Sequence, residues 1–119
     1  MLKVYCYSKC TTCVKALKWL TVHNIRHEVI DIKSAHPDEQ TLRKLYKMSG
    51  LPLKRFFNTS GMQYRQLGLS SRLPEMSEDE QLELLSSDGM LVKRPLLIGE
   101  DFVLTGFREA EWEEKLLRN

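Results

Sequence analysis

The pattern of apolar residues over positions 2–32 constrains the fold more than any other feature of this sequence. Residues 2–6 alternate between the two faces of a strand, with one face apolar. Residues 12–23 have the apolar spacing of an amphipathic helix, and residues 28–32 are rich in β-branched side chains, which is typical of a second strand. The expected buried positions of the helix are Ala16, Leu17, Trp19 and Leu20. A strand, a helix and a strand joined this closely predict a right-handed parallel βαβ unit.

Two cysteines, Cys10 and Cys13, lie three positions apart where the first strand ends and the helix begins. A thiol in the first turn of a helix faces unpaired backbone N–H groups and the positive end of the helix dipole, which favour the thiolate. We therefore predict that Cys10 is the nucleophile, with Thr11 or Thr12 capping the helix. Cys13 lies one turn further on and is the predicted resolving thiol. The alternative is that both cysteines are buried packing residues.

The middle of the chain, residues 33–90, is predicted to be helical. One helix is expected to begin at Pro37, because a proline suits the first helical position and acidic residues follow it. Short helices separated by turns are expected over residues 51–68. Ser77 and Glu80 have the spacing of a capping box, which predicts the start of a further helix.

The last part of the chain returns to β-structure. Residues 96–105 contain two apolar runs separated by the turn Gly99-Glu100-Asp101, which predicts an antiparallel hairpin. A closing helix is expected over residues 109–117, with buried positions at Trp112, Leu116 and Leu117. The order βαβ, helical insert, ββα predicts a single domain over residues 1–119. Together with the C-x-x-C, it predicts an α/β protein with a thioredoxin-like fold and a mixed four-stranded sheet.

Charge and composition exclude several classes of protein. The net charge of +2 comes from 18 basic and 16 acidic residues spread along the chain, so no direct nucleic-acid contact is predicted. The amino-terminal residues lack the layout of an export signal, and no apolar run reaches the length of a membrane span. We therefore expect a cytoplasmic protein with no membrane partner. Three cysteines suit a reducing compartment and functional thiols.

Several segments together match the motifs of a known family. They are Tyr7-Ser8-Lys9-Cys10-Thr11-Thr12-Cys13, residues 58–67, residues 84–96 with Arg94-Pro95, and Gly106-Phe107. On these motifs the chain resembles the arsenate reductase-related ArsC/Spx family over nearly its whole length. The resemblance implies a thioredoxin-like fold with a helical insertion, a reactive Cys10, and a cis proline at Pro95 beside it. It also implies that Arg94 faces the thiol.

The resemblance also implies a set of site residues. The catalytic residues would be Cys10, Cys13 and Arg94. The substrate would contact Lys9, Thr11, Thr12, Arg94 and Pro95. A guanidinium suits this role because its planar donors bind an oxyanion through two hydrogen bonds at once.

Some positions depart from the glutathione-linked arsenate reductases of the family. Asn58 stands where an arginine of those enzymes is expected, and Arg108 falls a residue or two from the place of another. Cys6 stands where they tend to have a histidine, and Cys13 is an additional thiol. The three cysteines could in principle bind a metal, but zinc sites usually pair two short ligand motifs and only one is present. No metal is predicted, and Cys6 is expected to pack in the core.

The family contains two functional kinds. Its arsenate reductases attack arsenate with the cysteine and regenerate the thiol with glutathione and glutaredoxin, or with thioredoxin. Members similar to Spx bind the C-terminal domain of the RNA polymerase α subunit and use a C-x-x-C as an oxidation switch. We predict a thiol-dependent oxidoreductase without a bound cofactor, acting on a small oxyanion or on a thiol or disulfide. The alternative is a redox-switched regulator of the Spx kind.

Overall fold

A computed structural model describes residues 1–117 of the chain. The strands in this part are β1 (Leu2–Cys6), β2 (His27–Asp31), β3 (Leu96–Ile98) and β4 (Val103–Thr105). The helices are α1 (Thr11–Val22), α2 (Glu39–Ser49), α3 (Met62–Gln66), α4 (Leu69–Arg72), α5 (Glu78–Ser87) and α6 (Glu109–Leu116). Short 3-10 turns occur at Leu53–Phe56, Leu73–Glu75 and Gly89–Leu91. The order is therefore βαβ, then helices, then ββα, as predicted.

The strands form one four-stranded sheet in the order β2-β1-β3-β4. β1 and β2 are parallel, with Val4 beside Val29, and α1 connects them. β3 runs antiparallel to β1, and β4 antiparallel to β3. The predicted mixed sheet is confirmed, and its central strand β1 ends directly before the two cysteines of the C-x-x-C.

The sheet separates two hydrophobic cores, because successive side chains of a strand point to opposite faces. On one face, Val4 and Cys6 of β1 and Leu97 of β3 pack with buried residues of α1 and α6. On the other face, Leu96 of β3 and Val103 of β4 pack with the helices of the insert. This packing holds α1 against the end of β1.

The helices of the insert begin at well-formed caps. The Asp38 carboxylate accepts the Thr41 N–H at 2.8 Å at the start of α2. At the start of α5, the Ser77 hydroxyl accepts the Glu80 N–H at 3.1 Å, and the Glu80 carboxylate accepts the Ser77 N–H at 2.8 Å. The capping box predicted from the sequence is therefore confirmed.

Two details of the predicted helices are wrong. Pro37 does not open α2, since Asp38 follows it as the cap and the helix begins after that residue. A carboxylate satisfies the free N–H groups of a first turn, which a proline cannot do. Leu117 was also predicted to be buried, but it is 44% exposed. The reason is that α6 ends at Leu116 and packs its Trp112 face against the sheet.

Replacing Ser77 with alanine is expected to lower the free energy of unfolding by about 1 kcal/mol, because the Glu80 N–H loses its partner. Urea denaturation measures this change. Ser70 is an exposed serine of α4, and Ser70→Ala serves as the matched control, with an expected change below about 0.5 kcal/mol. Equal effects of the two substitutions would show that the capping box does not stabilise the fold.

Candidate active site

The candidate site is built on the turn that joins β1 to α1. The Cys10 N–H donates to the Tyr7 carbonyl at 3.0 Å, which closes a turn through Ser8 and Lys9. The Cys10 carbonyl accepts the N–H of Val14 at 3.1 Å, so Cys10 itself occupies the N-cap position of α1. The two cysteines of the C-x-x-C therefore lie at the start of a helix, as the sequence predicted.

The predicted cap at Thr11 or Thr12 is wrong. Both residues lie inside the first turn of α1, and the Cys10 side chain makes no capping hydrogen bond. The turn that follows β1 enters the helix one residue earlier than the polarity of the sequence suggests. The first-turn N–H groups consequently have no side-chain cap at Cys10, and such groups attract a negative charge.

The sulfur-bearing residues differ in their access to solvent. Cys10 is half-buried, whereas Cys6 and Cys13 are 4% and 1% exposed. All three are free thiols. The prediction that Cys6 packs in the core is confirmed. Only Cys10 of these three can meet an external reactant without a rearrangement of the fold.

The thiol whose pKa is lowered is Cys13. A hydrogen bond from the Cys6 thiol is the largest cause, and the Tyr7 N–H donates to the same sulfur at 3.4 Å. A hydrogen bond with Cys10 and the charge of Arg94 add to these, and together they outweigh burial and bring the pKa of Cys13 to about 6. The hydrogen bond to Cys13 and burial raise the pKa of Cys6. The sequence predicts a thiolate at Cys10, whereas the hydrogen bonds and charge in the structure favour a thiolate at Cys13.

Arg94 is held beside the cysteines by several contacts. Its Nη1 donates to the carbonyls of Met90 at 3.3 Å and Val92 at 3.5 Å. Its Cζ lies 5.4 Å from the centre of the Tyr7 ring, within the range of a cation–π contact. Within residues 1–117 its buried Nε has no hydrogen-bond partner. The guanidinium is therefore fixed, and it retains an unused donor.

A groove of about 850 Å³ opens beside Cys10. The segment over residues 58–62 and the residues after β4 form its walls. Its cationic lining residues are Lys54, Arg55, Lys93, Arg94 and Arg108. Among residues 1–117 no carboxylate lines it. Converging positive charges that lack acidic neighbours favour an anionic ligand.

The structure brings some of the predicted site residues together in this groove and leaves others outside it. Those that line it are Cys10, Thr12 and Arg94. Those outside its lining are Lys9, Thr11, Cys13 and Pro95. Lys9 and Thr11 are exposed, whereas Cys13 and Pro95 are buried. The Arg94–Pro95 bond is cis, as the resemblance implied. Asn58 and Arg108, two of the four positions singled out as departures, both line the groove.

Sequence reasoning missed Thr105, which ends β4 and lines the groove. It is 3% exposed, and its Oγ1 has no hydrogen-bond partner within residues 1–117. A buried hydroxyl without a partner is costly unless a ligand or water satisfies it. The available signal was a polar residue that closes an otherwise apolar strand. Gly106 follows it with a φ of +77°, a conformation that favours glycine.

The described residues contain neither a metal-binding group nor a membrane-spanning helix. Within residues 1–117 no three His, Cys, Asp or Glu side chains are grouped so that they could hold a metal ion. No helix in this part of the chain is both long and apolar enough to cross a membrane.

The fold and the site together define a class. A mixed sheet that starts with a βαβ unit, a C-x-x-C at the start of α1 and a cis proline directly before β3 are the marks of a protein with a thioredoxin-like fold. Residues 5–115 match the model of the ArsC family. The chain belongs to the ArsC family, which confirms the family resemblance inferred from the motifs.

Individual relatives cover most of the chain. Uncharacterized protein YusI of Bacillus subtilis is 54% identical over 113 residues, 95% of this chain and 96% of that protein. A solved structure from Streptococcus mutans, described as a possible arsenate reductase, is 44% identical with a TM-score of 0.89 and covers 98% of both chains. The global transcriptional regulator Spx of Enterococcus faecalis is 29% identical and spans 100% of this chain and 89% of its own length. Arsenate reductase-like structures and Spx regulators are thus both similar to this protein.

The lowered pKa of Cys13 predicts how stability depends on pH. Between about pH 6 and 9.0, the ordinary pKa of a cysteine, Cys13 is ionised in the folded state and protonated in the unfolded one, so the free energy of unfolding rises with pH. The stability that the ionised Cys13 contributes is lost as the pH falls towards 6. Above pH 9 the raised pKa of Cys6 acts in the opposite direction. Cys6 then keeps its proton in the folded state and loses it in the unfolded one, so the free energy of unfolding falls as the pH rises. Urea denaturation of the reduced protein across this range measures the profile.

Cys13→Ala is the comparison that isolates this effect. Without the Cys13 sulfur, the rise in stability between pH 6 and 9 should disappear. A thiolate absorbance titration of the folded protein provides a second measurement, and the step near pH 6 should be absent from the variant. If the two proteins had parallel profiles, Cys13 would not be the ionised thiol.

Proposed function

We propose that the protein is a thiol–disulfide oxidoreductase in which Cys10 attacks and Cys13 resolves. One observation carries the proposal: a half-exposed thiol opens into a cationic groove, and one helical turn further on lies a buried thiol whose pKa is lowered. A purely structural cysteine pair has no need of an open groove on one sulfur. Nor does packing alone require the fixed guanidinium of Arg94 in the same groove.

The proposed reaction takes place in two exchanges. Cys10 attacks one sulfur of a substrate disulfide, whose S–S bond breaks as a Cys10 mixed disulfide forms and the first thiol leaves. In this proposal the Cys13 thiolate takes the Cys10 proton during this attack and passes it to the thiolate that leaves first. After losing that proton, Cys13 attacks the Cys10 sulfur, a Cys10–Cys13 disulfide forms, and the second thiol leaves. The two cysteines have lost two electrons and the single proton that Cys10 carried, and the substrate leaves as one thiol and one thiolate.

The same pair could reduce an oxyanion such as arsenate. Cys10 would displace one oxygen of the oxyanion as water, and Cys13 would then attack the Cys10 sulfur. The arsenic atom would leave with the bonding electron pair as arsenite. Arg94 and the unpartnered Thr105 hydroxyl line the groove beside Cys10 and are the groups that would bind the oxyanion. Thioredoxin, or glutathione with glutaredoxin, is the proposed donor that restores the two thiols.

A coupled assay tests this function. The reduced protein is incubated with either an anionic low-molecular-weight disulfide or arsenate, in the presence of thioredoxin or glutaredoxin with their reductases and NADPH. Consumption of NADPH that requires the protein supports the proposal and identifies the donor. The proposal fails if no combination of substrate and donor gives turnover above that of the Cys10→Ser variant.

Substituting a groove cation should weaken substrate binding more than turnover. Lys93→Gln removes a positive charge from the groove, so KM for an anionic disulfide is expected to rise about three- to tenfold with kcat little changed. Lys47→Gln, an exposed charge change on α2, is the matched control and should leave both constants unaltered. An equal response of the two variants would exclude a specific role of the groove charge.

The alternative function is a redox-switched transcriptional regulator. It is favoured by the full-length similarity to Spx reported above and by the C-x-x-C, which could form a disulfide at the start of α1. In this case the chain would bind the C-terminal domain of the RNA polymerase α subunit without turnover. A pull-down of that domain with reduced and with oxidised protein tests the alternative. Retention by one redox form only supports regulation, and retention by neither excludes it.

A further inference from the structure

Cys6 is a third thiol that the two proposed exchanges leave unused. It ends β1 and is 4% exposed, in the core that β1 shares with α1 and α6. Cys13 is buried in the same core, and the N–H of Tyr7, the residue that follows Cys6, donates to the sulfur of Cys13 at 3.4 Å. Cys10, at the start of α1, packs against this core. The three cysteines therefore meet in one cluster, in which the Cys13 sulfur lies beside the end of β1 that carries Cys6.

Burial limits which groups can react with Cys6. An external thiol or disulfide cannot approach a side chain that is 4% exposed, and Cys13 beside it is 1% exposed. Cys10 is the open member of the set and lines the groove. An oxidising equivalent can therefore reach Cys6 only from Cys10 by way of Cys13.

We propose that Cys6 is a further redox residue, which takes the disulfide over from Cys10. This step rests on the proposed function, because it begins from the Cys10–Cys13 disulfide. The Cys6 sulfur attacks Cys13, a Cys6–Cys13 bond forms, and the Cys10–Cys13 bond breaks. Cys10 leaves as a thiolate and takes up the proton that Cys6 loses. The exchange is redox-neutral and needs no additional oxidant.

The surroundings of the three sulfurs favour this direction of transfer. A thiolate is costly at a buried position, so Cys6 gains more from being held in a disulfide than an open cysteine does. Cys10 is the better leaving group, since it faces the groove with the Arg94 guanidinium. The transfer restores an open thiol at Cys10. It also stores the disulfide in the core, where external donor thiols reach it slowly.

The positions of three lysines allow a direct test. Trypsin cleaves after Lys3, Lys9 and Lys15, so Cys6 falls in one peptide, and Cys10 and Cys13 fall together in the next. The intact reduced protein is treated with one equivalent of oxidised glutathione, quenched with acid at successive times, and alkylated with N-ethylmaleimide in denaturant. Non-reducing tryptic digestion and tandem mass spectrometry then identify each linkage.

The expected result is a time course with two disulfides. The peptide of residues 10–15 first appears with an internal disulfide, and it is then replaced by a species linked to the peptide of residues 4–9 with Cys10 alkylated. If the internal Cys10–Cys13 disulfide forms and persists while Cys6 stays alkylated, the transfer is overturned and the proposed function stands. If Cys10 enters no disulfide with either Cys13 or glutathione, the proposed function fails as well.

Two variants check the route. Cys6→Ala should keep the internal Cys10–Cys13 disulfide and lose the linked species completely. Cys10→Ser should leave Cys6 and Cys13 reduced, because both are buried. A Cys6–Cys13 disulfide that forms as fast in Cys10→Ser as in the unmodified protein would overturn the route through Cys10. Circular dichroism confirms that each variant is folded, and the time course of the unmodified protein decides the proposal without any variant.

Discussion

Replacing Cys10 with serine is expected to lower the rate of disulfide reduction at least about a thousandfold, because a hydroxyl is a far weaker nucleophile than a thiol at this position. Cys10 is the cysteine that opens into the cationic groove, while Cys6 and Cys13 are buried. The remaining thiols therefore cannot replace it. The coupled assay with thioredoxin or glutaredoxin measures the loss.

Cys13→Ser is the informative partner of this substitution. The first exchange can still take place at Cys10, but the buried Cys13 sulfur, which would resolve the mixed disulfide, is missing. Oxidised glutathione should therefore accumulate as a Cys10 adduct, which mass spectrometry of the intact protein detects. The Cys10→Ser protein should show no adduct. Equal labelling of both variants would mean that Cys10 is not the attacking thiol.

Replacing Trp112 with alanine is expected to lower the free energy of unfolding by about 3–5 kcal/mol, the range for removal of a large buried aromatic side chain. Trp112 is fully buried, and the centre of its ring lies 4.8 Å from the ring centre of Phe107 and 6.0 Å from that of Trp19. Its Nε1 donates to the Gly106 carbonyl at 3.2 Å. Urea denaturation of the reduced proteins measures the change.

Trp112→Phe separates the packing of the ring from its hydrogen bond. Phenylalanine retains most of the aromatic contact but leaves the Gly106 carbonyl without its donor, so a smaller loss of about 1–3 kcal/mol is expected. Because Gly106 lines the groove, this variant should also raise KM for the disulfide substrate. Met62→Ala, at a side chain that is 68% exposed, is the control for the stability measurement only, because Met62 lines the groove. Equal stability of Trp112→Ala and Met62→Ala would contradict the core position of Trp112.

Much of the fold could be predicted because its signals are local. Alternation over residues 2–6 and helical spacing over residues 12–23 correspond to β1 and α1 in the structure. The capping box at Ser77 and the hairpin over residues 96–105 depend on neighbouring residues alone. The errors at Pro37 and at the cap of α1 concern single boundary positions, where competing local signals differ by little free energy.

The site could be predicted only in part. The C-x-x-C indicates two thiols at the start of a helix, but it does not indicate which sulfur carries the negative charge. That depends on Cys6, which belongs to a different element and meets Cys13 only after β1 and α1 pack together. Thr105 belongs to no motif, and Lys93 was not among the predicted site residues. Their place in the groove follows from the position of β4 and of the segment before β3.

The sequence by itself determined the order of the elements, the family and the place of the reactive pair, since periodicity, turn residues and motif spacing are properties of contiguous residues. Only the tertiary structure decided the chemistry around that pair. Packing brings three sulfurs and a guanidinium from separate segments together, buries two of the sulfurs and leaves one open to a cationic groove. Burial and hydrogen bonding set the pKa of a thiol, and neither exists until distant parts of the chain are in contact.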